Sequence, residues 1–312
     1  MIILGDRYHF SGVEQERLAK KFPQITHISY KDLSATNAIE KIDAIIKQQT
    51  PSLIVLNTKA ILPSNLLTYL TKLELRGVYY LTIEHFLEKY LHKCFISQES
   101  RDVAFLEHIH AYTPFQYFQK RTIDYISIAL LLIPTLLAII YTKYRINKES
   151  PGPLFFRQRR VGRGEREFCC IKLRSMSLDA EKNGAAFACE NDPRAFPWGE
   201  RIRYTKIDEL IQLYNVAKGE MHFVGPRPER PIWTKEFEKS IPYYTQRHVV
   251  APGITGLAQI KYQYGAGKLD AEQKLMYDLY YIKNWNILLE LEIIWKTILF
   301  VLTKKRKNLS NF

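Results

Sequence analysis

The chain has little cysteine, and none of it is arranged for a metal. Cys94, Cys169, Cys170 and Cys189 form no Cys-x-x-Cys among 312 residues. Adjacent cysteines seldom bridge, so reduced thiols in a cytosolic compartment are expected and a disulfide-stapled scaffold is excluded. Gly-x-Gly-x-x-Gly is missing, as is any internal repeat. The opening MIILGDRYHF carries no basic leader and no secretory core with a cleavage site, so the chain is expected to start in the cytoplasm. With 46% hydrophobic and 25% charged residues, wholesale disorder is excluded as well.

What is abundant is positive charge, and it is unevenly placed. Lysine plus arginine number 45 against 32 acids. Residues 1–110 hold 13 basic and 12 acidic side chains, whereas residues 111–312 hold 32 and 20. A nearly neutral front part therefore precedes a basic remainder suited to an anionic partner: phosphate substrates, acidic lipid or nucleic acid.

In residues 1–93, short apolar runs at Ile2–Leu4, Ile25–Tyr30, Leu53–Leu56 and Val78–Leu81 alternate with helical patterns at Gly12–Phe22, Ala35–Gln49 and Pro63–Leu75. That alternation predicts a small α/β domain with a parallel sheet. Gly5-Asp6, after the first strand, is either a structural turn or a weak nucleotide site. Residues 94–119 read as a linker whose His108 and His110 are surface residues. Residues 120–148 hold the apolar run Ile126–Tyr141, flanked by Lys120-Arg121 and by Lys143, Arg145 and Lys148. Sixteen helical residues cover roughly 24 Å, short of a hydrocarbon core of about 30 Å. Pro134 interrupts the run, and cations on both flanks favour the cytoplasmic side. A helix that enters one leaflet and returns, a single span and a buried soluble helix all remain open. Residues 149–312 form the rest, in which Asp270–Asn284 and Ile287–Leu302 suit either interfacial amphipathic helices or core helices.

Chemistry concentrates between Asn191 and Glu229. Asp208-Glu209 opens a helical pattern that ends at Gly219, and a local reading makes Thr205 or Asp208 an N-cap. The surroundings weigh against that reading, because residues 143–206 hold 15 basic and 8 acidic residues. Two carboxylates among arginines and a lysine suit phosphoryl transfer: one attacks phosphorus, one holds a divalent metal, and the cations screen the phosphate.

From about Lys120 to Leu302 the chain resembles the monotopic phosphoglycosyl transferases, the bacterial sugar transferases of glycoconjugate assembly. The resemblance rests on Lys120-Arg121-x-x-Asp124, Ser150-Pro151-Gly152-Pro153, Phe155-Phe156-Arg157-Gln158, Gly162, Gly164 and Lys172-x-Arg174-Ser175-Met176. It continues through Asn191-Asp192-Pro193-Arg194, Asp208-Glu209-Leu210, Val224-Gly225-Pro226-Arg227-Pro228, Pro252-Gly253-Ile254-Thr255-Gly256 and Asn284-Trp285. Departures are Ile133-Pro134 for Ser-Pro, Leu173 for phenylalanine, Ile211 for proline and Glu220 for aspartate. None removes a charged group.

The resemblance implies an α/β N-terminal domain with a small Rossmann-like parallel sheet, then a mostly α-helical monotopic membrane catalytic domain with a re-entrant helix. It implies transfer of a sugar 1-phosphate from a UDP-sugar to a polyprenyl phosphate with release of UMP, on the cytoplasmic face of the inner membrane. Asp208 would carry the phosphosugar, and Glu209 with Asp208 would hold Mg²⁺. Lys172, Arg174, Arg203, Arg227 and Arg157 would contact substrate. Membrane lipid is an expected partner, nucleic acid is not, and a homodimer is left open. The rival reading is an inactive membrane-bound scaffold, which would need the basic surface and not the acidic pair.

Overall fold

The computed structural model describes residues 1–30, 35–48, 51–58, 62–96, 107–182, 184, 192–262 and 267–309, with residues 304–309 described by their backbone alone. Cys189, Asn191, residues 97–106 of the expected linker and the side chains of the basic tail lie outside the described residues. The chain divides into two units, Met1–Phe95 and Ile96–Phe312.

In the first unit, β1 (Ile2–Leu4), α1 (Gly12–Ala19), β2 (Thr26–Ile28), α2 (Ala35–Gln48), β3 (Leu53–Leu56), α3 (Ser64–Glu74), β4 (Tyr79–Thr82) and α4 (Ile83–Phe86) follow one another. The strands are parallel in the order β2-β1-β3-β4. The central strands β1 and β3 are buried along their whole length, as their unbroken apolar sequences require. Ile2, Leu4, Ile54 and Leu56 pack with Ala38 and Ile42 of α2 and Leu66, Leu70 and Leu73 of α3. Gly5-Asp6 is a structural turn. Gly5 has φ +100°, and a Cβ there would lie 2.3 Å from the Asn57 carbonyl oxygen. The Asn57 amide donates to the Gly5 and Tyr8 carbonyls and its Oδ1 accepts from the Tyr8 N–H, which ties the turn to the end of β3.

The second unit opens with α5 (Pro114–Glu149), which starts six residues earlier than the sequence suggests. Thr113 accepts from the Gln116 N–H while the Gln116 side chain accepts from the Thr113 N–H, and Pro114 occupies the first turn. The helix continues through Pro134, and the Thr135 hydroxyl donates to the Leu131 carbonyl beside it. Among the described residues α5 is the one helix long and apolar enough to cross a membrane. Leu130, Leu132, Ile133, Leu136, Leu137 and Ile140 are exposed on it.

Both ends of α5 are fastened to the rest of this unit. Near its start, the buried Lys120 ammonium ion-pairs with Glu290 and donates to the Val224 carbonyl at 2.6 Å and the Tyr281 hydroxyl at 2.9 Å. Glu290 also accepts from the Tyr281 hydroxyl and the Trp285 indole. Asp124 accepts from the Phe223 N–H and pairs with His222, each at 2.7 Å. Near its end, Thr142 and Glu149 accept from the indole and backbone N–H of Trp198.

Beyond α5 the region is mixed α/β rather than mostly α-helical. β5 (Phe155–Val161) and β6 (Glu167–Leu173) make an antiparallel hairpin. α6 (Pro197–Tyr204), a 3₁₀ segment (Ile207–Gln212) and α7 (Leu213–Ala217) follow. β7 (His222–Val224) pairs in parallel with β8 (Gly253–Thr255), on either side of α8 (Pro231–Ser240) and a 3₁₀ turn (Tyr244–Val249). The strands escaped sequence reading because FFRQRRV is polar on both faces and lacks alternation. α9 (Leu257–Lys261), α10 (Lys268–Lys283) and α11 (Ile287–Leu309) close the chain. α10 buries Leu275, Met276, Tyr277, Leu279, Tyr281 and Ile282 and is a core helix, whereas α11 buries Glu290 and Ile293 and exposes Leu288, Leu291, Trp295 and Leu302.

Removing one partner of a buried ion pair leaves an uncompensated charge, at a cost of about 3–5 kcal/mol. Lys120→Met is therefore expected to lower the unfolding midpoint sharply, and Lys120→Met combined with Glu290→Gln to recover a large part of it. Thermal melts of the three proteins in one detergent check this. Equal midpoints for the wild type and Lys120→Met would remove the pair from the anchoring of α5.

Candidate active site

The β5–β6 register decides which cations reach the centre of the second unit. Phe156 faces Lys172, Gln158 faces Cys170 and Arg160 faces Phe168 across the hairpin. Residues directly opposite in an antiparallel pair share a face, so Lys172 and Arg160 lie on one side. Arg157 pairs with Ile171 on the other side and is exposed. The hairpin is held at its β6 edge by Asn215 of α7, whose Oδ1 accepts from the Ile171 N–H and whose amide donates to the Cys169 carbonyl.

Asp208 and Glu209 sit in the 3₁₀ segment, entered through Lys206 at φ +60°. No side chain caps it, so the N-cap expected at Thr205 or Asp208 does not form. Both carboxylates are buried. Glu209 receives the Lys172 ammonium at 2.6 Å on Oε1, and the Arg227 guanidinium at 2.8 Å on Oε1 and 3.3 Å on Oε2. Burial alone would raise its pKa, but Arg227, Lys172 and Lys206 hold it well below the usual carboxylate range. Glu209 in turn raises the pKa of Arg227.

Asp208 is in the opposite condition. Its Oδ1 is buried without a hydrogen-bond partner. Burial, with the neighbouring Glu209 charge adding, pushes its pKa up to about 6, while Lys172, Lys206 and Arg203 oppose the shift. One carboxylate is thus saturated with cations and the other is desolvated, with a free oxygen.

The loop that carries Arg227 is fixed by close backbone approach. A Cβ on Gly253 would lie 2.0 Å from the Gly225 nitrogen, and one on Gly256 2.1 Å from the Gly225 oxygen. The Arg227 carbonyl accepts from Arg247 at 2.9 Å, and Arg247 is ion-paired with buried Asp278 at 2.8 Å. Arg203, on α6, lies 3.8 Å from Asp192, whose pKa is pushed down to about 2 by its hydrogen bonds to Arg194.

Lys172, Arg203, Asp208, Glu209 and Arg227 therefore converge. Arg174 is engaged elsewhere: its buried guanidinium donates to the Pro153 and Ser150 carbonyls and the Ser150 hydroxyl, closing the turn after α5. The sequence reading passes over two cations. Lys206, two residues before Asp208, sits within the charge field of both carboxylates. Arg160 shares the Lys172 face, donates to the Pro228 carbonyl at 3.0 Å and lies 3.9 Å from Glu229. Strand parity would have separated Arg160 from Arg157, given the position of the hairpin turn. A group of three metal-type donors, Glu165, Glu238 and His248, lies on other elements of the same unit.

An ionised carboxylate with a raised pKa opposes folding above that pKa. Relative to an unfolded value near 3.9, a rise to about 6 corresponds to about 3 kcal/mol, absent at acid pH and fully present above pH 6. Asp208→Asn is therefore expected to raise the melting midpoint at pH 8 and to change it much less at pH 5. Melts at both pH values test this, and an equal shift at the two would contradict the poised carboxylate.

The family model described as bacterial sugar transferase matches residues 115–304. Among curated proteins, the UDP-N-acetylgalactosamine-undecaprenyl-phosphate N-acetylgalactosaminephosphotransferase of Aeromonas hydrophila is 43% identical over 192 residues, covering 61% of this chain and 45% of that protein. The putative undecaprenyl-phosphate N-acetylgalactosaminyl 1-phosphate transferase of Bacillus subtilis is 54% identical over 99 residues, covering 32% of this chain and 55% of that one. The UDP-glucose:undecaprenyl-phosphate glucose-1-phosphate transferase of Xanthomonas campestris is 42% identical over 182 residues, covering 57% and 37%. The chain spans about half the length, or less, of these relatives.

Proposed function

The chain belongs to the bacterial sugar transferase family, and from that premise we propose that it transfers a sugar 1-phosphate from a UDP-sugar to a polyprenyl phosphate, releasing UMP. This step would start assembly of a polysaccharide or related glycoconjugate. The observation that carries the reading is Asp208: a buried carboxylate with a partnerless oxygen, raised pKa and three cations acting on it. A scaffold has no use for such a group. The names of the Aeromonas and Xanthomonas relatives share undecaprenyl phosphate as acceptor and a UDP-sugar as donor and differ in the sugar. The donor is accordingly assigned by its uridine diphosphate part.

The Asp208 carboxylate attacks the sugar-bearing phosphorus, the bond from that phosphorus to the bridging oxygen breaks, and UMP leaves with that oxygen. The sugar phosphate is then an acyl phosphate on Asp208. A phosphate oxygen of the lipid attacks the same phosphorus and frees the carboxylate. Lys172, Arg227 and Arg203, with Lys206, screen the phosphate charge, while Glu209 keeps Lys172 and Arg227 in place. Two carboxylates, one with an unpartnered oxygen, are the hard donors Mg²⁺ takes, and Asp208 and Glu209 would hold it. When bound, the ion supplies further positive charge against the phosphates.

Intact-mass measurement with UDP-sugar alone is expected to show a sugar-phosphate adduct on the wild type and none on Asp208→Asn, which also loses turnover. Because only the ionised carboxylate attacks, kcat/KM should fall on acidification. An adduct on Asp208→Asn would overturn the assignment.

We further propose that α5 enters one leaflet and returns, placing the enzyme on the cytoplasmic face of the membrane. Cations flank the apolar run at both ends, and both ends of the helix are fastened to the same unit. With native cysteines replaced, Ala111→Cys and Asn147→Cys are expected to label from the cytoplasmic side only. Labelling of the two from opposite sides would make α5 a span.

A further inference from the structure

Three elements of the second unit bring metal-type donors together away from Asp208 and Glu209. Glu165 ends the short 3₁₀ turn Arg163–Glu165 at the tip of the β5–β6 hairpin, Glu238 lies on α8, and His248 belongs to the turn Tyr244–Val249. One ligand atom from each lies within 4.8 Å of the other two. Neither carboxylate has an ion-pair partner among the described residues. His248 is 7% exposed, and its Nδ1 is buried without a hydrogen-bond partner. An imidazole nitrogen buried without a partner, grouped with two carboxylates that have only the Lys235 charge acting on Glu238, is an incomplete arrangement for protein groups alone.

We propose that Glu165, Glu238 and His248 bind a divalent transition-series cation, with Zn²⁺ as the probe. One imidazole and two carboxylates, with a water in the fourth position, form a nitrogen–oxygen set that zinc accepts and magnesium, which prefers oxygen throughout, does not favour. Ligands about 2.1 Å from a tetrahedral zinc are roughly 3.4 Å apart, so from separations within 4.8 Å the set closes by at most about 1.4 Å on binding. Glu165 is exposed and Glu238 half-buried, so side-chain rotation can supply that movement and the ion can arrive from solvent. Arg247, next to His248, is committed to Asp278 and to the Arg227 carbonyl and leaves the imidazole free. The bound ion clamps the hairpin tip to α8 and to the turn that supports Arg227. Its role is structural.

Titration calorimetry of the untagged full chain in detergent, with Mg²⁺ in excess, tests this. One equivalent of Zn²⁺ is expected to bind. Glu165→Gln and Glu238→Gln should each weaken binding roughly tenfold or more, since even outer partners of a metal site are worth 10–100-fold. Asp208→Asn should leave it unchanged. Hydrogen exchange should show Zn²⁺ protecting residues 161–167 and 244–249 in the wild type and not in Glu165→Gln. If Glu238→Gln is unstable in chelator, Glu165→Gln, exposed on its turn, decides alone. No binding at micromolar Zn²⁺, or equal affinity in Glu165→Gln, would overturn the site.

Discussion

The second unit is organised around the charge of Glu209. This buried carboxylate ties Lys172 on the hairpin to Arg227 on the loop after β7, two segments that would otherwise bring like charges together. Cations that face each other across a crevice repel unless an anion lies between them, and Glu209 is that anion. Its neighbour in sequence benefits indirectly. Because Lys172 is oriented on Glu209, Asp208 shares its field, with those of Lys206 and Arg203, without being locked into a hydrogen bond, and burial keeps its pKa high. Two adjacent acids thereby acquire opposite characters, one holding the scaffold of charge and one left reactive.

The long apolar helix α5 belongs to the same construction. Lys120 binds the carbonyl of Val224, three residues before Arg227, and Trp198, held by the other end of α5, sits in the first turn of the helix that carries Arg203. The apolar segment and the cationic groups are therefore connected through short stretches of backbone, and the acidic pair and the exposed apolar surface of α5 are built into one unit.

Much of this was legible in the sequence. Each strand of the first unit is a short apolar run between helical patterns, and the parallel sheet follows from that alternation. The acidic pair stood out by its cationic surroundings. What escaped did so for physical reasons. The capping box at Thr113 and Gln116 precedes Tyr117-Phe118-Gln119, which stands apart from the continuous apolar run, so sequence reading starts the helix at Lys120. β5 has arginines on both faces and shows no period of two. Arg157 and Arg160 differ only by strand parity, and parity has no meaning until the turn at Arg163–Glu165 is located. Arg174 looks like any other cation in the motif, and only the carbonyls of Ser150 and Pro153 reveal its task. Lys206 was hidden by a helix-start reading that its left-handed backbone contradicts.

The contact of Gly225 with Gly253 and Gly256 has a consequence for how this protein can change over time. Atoms of one backbone rest directly on another there, with no side chain between them to trim or rotate. A mutation that adds a methyl group at any of the three positions has no local remedy and must displace the whole Arg227 loop. Drift at one of these positions is answered by neither of the others. Laboratory diversification of this chain should therefore treat the segment 224–228 and the segment 252–256 as one block, to be exchanged together or left alone.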